Sequence, residues 1–300
     1  MTAALARRLV AALSLAVSGV ATAADPPMVP ARVTVLYDAF GPPSELRKDW
    51  GFAALVEYGG RRILFDTGND SAIFAHNART LDVDLGRLDA VVISHRHGDH
   101  TSGLNALLAV NPGVKIYVPV EGAFFRMPLP ATFLQPSVPS LPARFRYFEG
   151  KPPDKLFTGT PWEKADFQRV AQTTEIFRGF FLLTTKSEKA GTVDMNELSL
   201  AIRTPKGLVV VVGCSHPGVE KILAEAAKID PKLYLVTGGF HLVLTPEAEI
   251  RRVADVLHDG LKVQRVAPGH CTSEVGFAVF LERYGQHFDA AGLGSVTALP

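Results

Sequence analysis

The sequence predicts an α/β fold in which buried strands alternate with helices and carry polar turns to a common edge. Three observations point there. Short runs rich in Val, Ile and Leu recur along the chain and end in turns bearing histidine or aspartate. Amphipathic stretches follow several of these turns. One turn, Ser94-His95-Arg96-His97-Gly98-Asp99-His100, crowds three histidines and an aspartate together.

Taken in order, Ala31–Tyr37 and Phe52–Tyr58 read as strands, followed by a Gly59-Gly60 hairpin turn and the strand Arg61–Phe65. That strand ends in Asp66-Thr67-Gly68. A helix over Ser71–Ala78 leads to the apolar run Leu88–Ile93 and the histidine turn. Thr101–Leu108 reads as a helix, and Val114–Val118 as a strand. Residues 121–180 change character, with recurrent prolines among Phe124, Phe125, Phe133, Phe145, Tyr147, Phe148, Phe157 and Trp162. Such proline density excludes long regular elements. The segment is either a surface excursion packing its own aromatic cluster or a lid beside the site.

Alternation then resumes. Leu198–Arg203 and Gly207–Val212 read as a hairpin ending in Gly213-Cys214-Ser215-His216, and Val219–Lys228 as an amphipathic helix. Lys232–Thr237 is a strand ending in Gly238-Gly239-Phe240-His241. Thr245–Leu257 reads as a helix with proline in its first turn. Val263–Ala267 is a strand ending in Pro268-Gly269-His270-Cys271, with a helix over Gly276–Tyr284 and a last strand near Ser295–Leu299. If these strand ends share one edge, His95, His97, Asp99, His100, His216, His241 and His270 converge. Imidazole and carboxylate are donors that zinc and similar divalent ions accept. His76, His258 and His287 lack partner motifs and read as surface residues.

The 300 residues, 47% hydrophobic, suffice for a large core. Arg7-Arg8, the apolar run Leu9–Val20 and Ala21-Thr22-Ala23 form the pattern of a signal peptide cut after Ala23. The expectation is a periplasmic or secreted protein with no stable membrane insertion after cleavage. Its mature domain covers residues 31–300, with the proline-aromatic insertion at 121–180. Cleavage removes two arginines and no acid, taking the formal charge from +1 to −1. No basic face stands out, so the expected partner is a small-molecule substrate and not nucleic acid. Oligomeric state is left open. The two cysteines, Cys214 and Cys271, suit either a disulfide or a place beside the metal site.

His95-Arg96-His97-Gly98-Asp99-His100, the upstream Phe65-Asp66-Thr67-Gly68 and the late His270 resemble the metallo-β-lactamase superfamily. Within it, Gly213-Cys214-Ser215-His216, Gly238-Gly239-Phe240-His241-Leu242 and Pro268-Gly269-His270-Cys271-Thr272 resemble the dihydropterin-phosphate synthase-like branch. The resemblance implies a four-layer αββα sandwich over residues 31–300 and a centre of one or two divalent ions. Zinc is the first choice, with manganese or iron as alternatives. By motif position His95 and His97 would bind one ion, and Asp99, His100 and His270 the other, activating water as hydroxide. Asp66 would either fix the histidine loop or merely form its turn. His241 would bind metal, exchange a proton or hydrogen bond with substrate, or be satisfied by backbone.

The chain departs from the superfamily pattern. No histidine lies between His100 and His216, Cys214 stands where an aspartate usually bridges the ions, and Ser273 replaces the branch's glycine. The candidates to complete the site are His216, Cys214 and the acids Glu197 and Asp194. The function implied is an exported metal-dependent hydrolase of esters, lactones, amides or phosphoesters. The alternatives are a synthase-like transferase and a metal-binding protein without turnover.

Overall fold

The computed structural model describes residues 30–125, 127–130, 132–158 and 161–300. The signal-peptide reading of residues 1–23 lies outside them. Among these residues fifteen strands follow in chain order. The first five are β1 (Arg32–Tyr37), β2 (Ala53–Tyr58), β3 (Arg61–Phe65), β4 (Ala90–Val92) and β5 (Lys115–Pro119). From residues 121–180 come β6 (Met127–Pro128), β7 (Phe157–Thr158), β8 (Asp166–Val170) and β9 (Thr174–Phe177). The last six are β10 (Phe180–Lys186), β11 (Asn196–Thr204), β12 (Gly207–Val212), β13 (Leu233–Gly239), β14 (Arg265–Gly269) and β15 (Val296–Ala298). The α-helices are α1 (Ser71–Thr80), α2 (Gly98–Thr101), α3 (Leu104–Val110), α4 (Val219–Ala227), α5 (Glu247–Asp255) and α6 (Glu274–Tyr284).

β6 and β7 pair by themselves; of the two large sheets, one runs β15-β1-β2-β3-β4-β5-β8 and the other β14-β13-β12-β11-β10-β9. Between them lies an apolar layer in which Val33, Val35, Phe65 and Val92 face Leu198, Leu200, Val209 and Val211. The alternate residues point outward to helices. Leu64, Val91 and Ile93 meet Phe74, Leu104 and Leu107. Val210, Val212 and Val236 meet Ile222, Leu223, Ile250 and Phe280. Both faces of each sheet are therefore covered, which explains continuous hydrophobic runs such as Leu208–Val212. Full burial of each such side chain favours folding by roughly 1.5–3 kcal/mol. The result is the αββα sandwich.

Local chemistry fixes the connections. Gly59 and Gly60 both take positive φ, 55° and 77°, as a two-residue hairpin turn of the I′ kind requires. Asp70 caps α1 by accepting from the amides of Ala72 and Ile73, each at 2.8 Å.

Several elements differ from expectation, among them β9 and β10 of the second sheet, where no strand was foreseen. The helix expected over Thr101–Leu108 is split into α2 and α3, because the chain turns at Ser102-Gly103 where Gly103 packs against Thr67. The helix expected to Leu257 leaves α geometry after Asp255 and closes as a π turn over Val256–Gly260. Within residues 121–180, β8 joins the first sheet beside β5, an edge strand the proline pattern concealed. Phe124, Phe125, Trp162 and Phe167 form an aromatic cluster on the first sheet's outer face, and Trp162 donates to Asn105 on α3 at 3.0 Å. Among the described residues no helix is long and apolar enough to cross a membrane.

Candidate metal centre

The strands β3 and β4 are parallel, as are β12, β13 and β14. Their C-terminal ends supply Asp66, Ser94-His95, Gly213-Cys214, His241 and His270 to one rim. Here several non-glycine residues adopt left-handed backbone: Asp66 (φ 59°), Ser215 (63°), His241 (50°), His270 (45°) and Ser273 (76°). Each costs on the order of 1–3 kcal/mol, and such strain gathers at functional sites. Ser273 takes the left-handed conformation that a glycine would hold freely, and its hydroxyl accepts from Gly276 N at 3.1 Å to cap α6.

The expected convergence takes place. His95, His97 and His216 form one group, with ring centroids 4.6–4.9 Å apart. His100 and His270 form a second, 5.0 Å apart, and Asp99 Oδ2 lies 3.7 and 3.6 Å from their Nε2 atoms. The groups adjoin, since His95 and His100 are 4.2 Å apart. Cys214 Sγ lies 3.2 Å from His100 Nε2.

Buried carboxylates orient these rings. Asp66 accepts from Ser94 N at 2.7 Å, Ser94 Oγ at 2.7 Å and His100 Nδ1 at 2.6 Å. With its proton given to Asp66, the Ser94 hydroxyl accepts from His95 Nδ1 at 2.8 Å. That chain fixes His95 in the tautomer with its Nε2 lone pair free. Glu197 accepts from the amides of Cys214, Ser215 and His216 at 3.2, 2.7 and 2.9 Å, and from His216 Nδ1 at 3.0 Å. Glu197, named as a candidate to complete the site, thus spends its oxygens on support, and His216 presents Nε2. Asp194 does not substitute: it lies exposed and pairs with Lys186 at 2.7 Å. Both thiols are free, with Cys271 Sγ directed at Cys214 O (3.6 Å), so the disulfide alternative is not what the structure contains.

The electrostatics follow from burial. Desolvation and neighbouring imidazoles hold His95 and His270 well below the usual histidine pKa, so both stay neutral and keep lone pairs at pH 7. Burial also pulls His100 down, but the Asp66 carboxylate outweighs it and pushes the ring up to about 9. Burial would raise Glu197, yet its His216 and amide donors hold it below the ordinary carboxylate value. Burial raises Cys214.

Whether a metal fits is decided by unpaired atoms. His95 Nε2 and both nitrogens of His270 are buried without any hydrogen-bond partner, as is His241 Nδ1. Each orphan costs roughly 1–3 kcal/mol unless a ligand completes it. Imidazoles, a carboxylate and a thiol around those atoms suit a divalent ion.

Sequence reading missed three neighbours. Asp38, at the end of β1, accepts from His270 N at 2.8 Å. Trp50 packs at a tilt against the His270 ring, with centroids 4.9 Å apart, while remaining 46% exposed. Glu121 ties Arg96 (2.5 Å) to the amide of Asn196 (2.6 Å). An acid directly after a strand was the available signal for Asp38, as it was for Asp66. His76, His258 and His287 lie outside the cluster; His76 bonds Glu45 O and His258 meets Tyr284.

The fold and the rim define a metallo-β-lactamase-fold protein. The family model for the metallo-beta-lactamase superfamily matches residues 50–184 of this chain. It is similar to the 7,8-dihydropterin-6-methyl-4-(beta-D-ribofuranosyl)-aminobenzene-5'-phosphate synthase of Methanocaldococcus jannaschii, at 27% identity over 87% of this chain and 92% of that one. An uncharacterized protein of the same organism is 26% identical over 74% of this chain and 83% of its own length. The crystal structure of Tm1679, a metal-dependent hydrolase of the beta-lactamase superfamily, superposes with a TM-score of 0.68 at 27% identity. That match covers 90% of this chain and 99% of Tm1679.

Proposed function

We propose that the protein is an exported metal-dependent hydrolase acting on an ester, lactone, amide or phosphoester bond of a small molecule. The observation that carries the reading is the pair of adjoining donor groups with buried, unpartnered imidazole nitrogens. His95, His97 and His216 would hold one divalent ion, and Asp99, His100 and His270 a second. Zinc is the first candidate, with manganese or iron as alternatives. Such ions, when bound, supply Lewis acidity and make water a nucleophile at neutral pH.

The chain's own residues do the rest. Asp66 and Glu197 orient the rings of His95, His100 and His216 before any ligand arrives. Asp99, the partly exposed carboxylate of the cluster, accepts a proton from attacking water. His241 packs its ring on His216 at 4.3 Å and has an unpartnered Nδ1, which suits it to donate a proton to the leaving group. Trp50 forms an apolar wall over His270 and screens that side from bulk water.

Likeness to Tm1679 supports hydrolysis. Likeness to the archaeal synthase supports a second reading, transfer on a phosphorylated pterin precursor. Export rests on Arg7-Arg8, Leu9–Val20 and Ala21-Thr22-Ala23. Metal analysis and a panel of lactones, esters, amides and phosphodiesters, assayed before and after chelation, test the first reading. Turnover restricted to the phosphorylated pterin precursor would replace it by the second, and metal-replete protein inert to everything would remove both. Cell fractionation, with sequencing of the mature N-terminus, tests export.

A further inference from the structure

Among the described residues, Cys214 is common to all three groups of His and Cys side chains placed to hold an ion. Its Sγ lies with the ring nitrogens of His95 and His216, all within 4.8 Å of one another, and equally with those of His100 and His270. It is also shared by the group with His241 and Cys271. The sulfur therefore stands between the two imidazole sets and not to one side of either. The loop holds it there: Cys214 N donates to Glu197, and Gly213 packs so tightly on Ser94 and Asp66 that a methyl group would collide. His95 Nε2 and His270 Nε2, buried and unpartnered, belong to the two different sets that Cys214 joins.

Cys271 is differently placed. Its sulfur accepts from His241 N at 3.3 Å, points at Cys214 O at 3.6 Å, and lies within 4.8 Å of the ligand atoms of Cys214 and His241. Cys271 supports the His241 loop; Cys214 has His100 Nε2 as its near neighbour.

Building on the metal-dependent reading above, we infer that Cys214 is a shared thiolate ligand, bridging an ion held by His95 and His216 to an ion held by His100 and His270. On binding, the Cys214 S–H bond is replaced by metal–sulfur bonds and the proton passes to buffer. A soft sulfur at the middle of the pair favours zinc, cobalt or cadmium over manganese.

The test is X-ray absorption at the zinc edge on the full chain, with zinc content measured on the same sample. A shared sulfur gives every zinc one sulfur neighbour at about 2.3 Å, whereas a sulfur bound to one ion of two gives half that amplitude. In the cobalt form, a thiolate-to-cobalt charge-transfer band in the near ultraviolet reports the same bond. Both signals should persist in Cys271→Ser and vanish in Cys214→Ser, whose manganese affinity should fall less than its zinc affinity. Two zinc ions with only nitrogen and oxygen neighbours, or with half the sulfur amplitude, overturn the bridge and leave the metal-dependent reading standing. So does a sulfur signal that survives Cys214→Ser and disappears in Cys271→Ser. Protein that takes up no zinc at all overturns the metal-dependent reading itself, and the bridge with it.

Discussion

Replacing Glu197 by glutamine tests whether the loop carrying Cys214 and His216 is built on a buried anion. The native carboxylate is fully buried and accepts four hydrogen bonds, from three consecutive amides and from His216 Nδ1. Glutamine keeps one oxygen and substitutes an NH₂ for the other. Whichever way the amide is turned, one pair of donors then faces a donor. If the remaining oxygen serves Cys214 N and Ser215 N, then His216 N and His216 Nδ1 are left unpaired in a dry interior. Two charge-assisted bonds at roughly 1.5–3 kcal/mol each, offset by local relaxation, put the loss near 3–5 kcal/mol. Urea unfolding of the metal-free protein should show a lower midpoint at unchanged slope. Because Glu197 sets the His216 tautomer, zinc affinity should also weaken by about 10–100-fold, read by competition with a chromophoric chelator.

The sign of the pH dependence follows from the same contacts. Glu197 is held below its ordinary pKa in the folded state. Its stabilisation is therefore fully present above the unfolded value of about 4.3 and is lost as pH falls through the depressed folded value. The gap between wild type and Glu197→Gln should be constant from pH 6 upward (roughly two units above that value) and close in acid. A stability loss below about 1 kcal/mol, with unchanged zinc affinity, would refute the account of this loop.

Three further outcomes are expected. Gly213→Ala places a methyl group against Ser94 Oγ and within 3.0 Å of Asp66 Oδ2, and should cost about 1–3 kcal/mol in denaturant unfolding together with metal affinity. Asp38, pushed up to about 8 by burial, holds a proton in the folded chain that the unfolded chain releases near pH 4. Stability of the metal-free protein should hence fall as pH rises from about 4 to about 8. Asp38→Asn should flatten that slope, by comparison of unfolding curves across the window. Removing metal with a chelator should lower the melting temperature, since an ion at 100 times its dissociation constant adds about 2.7 kcal/mol; calorimetry showing no shift would argue against the donor groups binding metal.

The parts of this molecule that were legible in its sequence are those where local and tertiary demands coincide. A strand buried on both faces must be apolar throughout, so Leu208–Val212 and Leu233–Val236 announce themselves, and the turn after each must be polar where it meets the rim. His95, His97, Asp99 and His100 were visible for that reason, and His216 and His270 by the rhythm of strand, turn and helix. What stayed hidden depends on spatial neighbours the chain order does not show. Glu197 could be named as a candidate but not assigned, because ligand and supporting carboxylate differ only in which donors surround them. Three amides facing its oxygens decide it. The edge strand β8 was masked by prolines that belong to the loops before it. Glu121 carried no signal at all, since its partners Arg96 and Asn196 are 25 and 75 residues away. Cys214 is the instructive case. Sequence marked it as standing where an oxygen ligand was expected, which reads equally as loss of a site or as a change of its chemistry. Only its position between the two imidazole sets favours the second, because a vestigial residue has no reason to keep buried, unpartnered nitrogens on both sides of it.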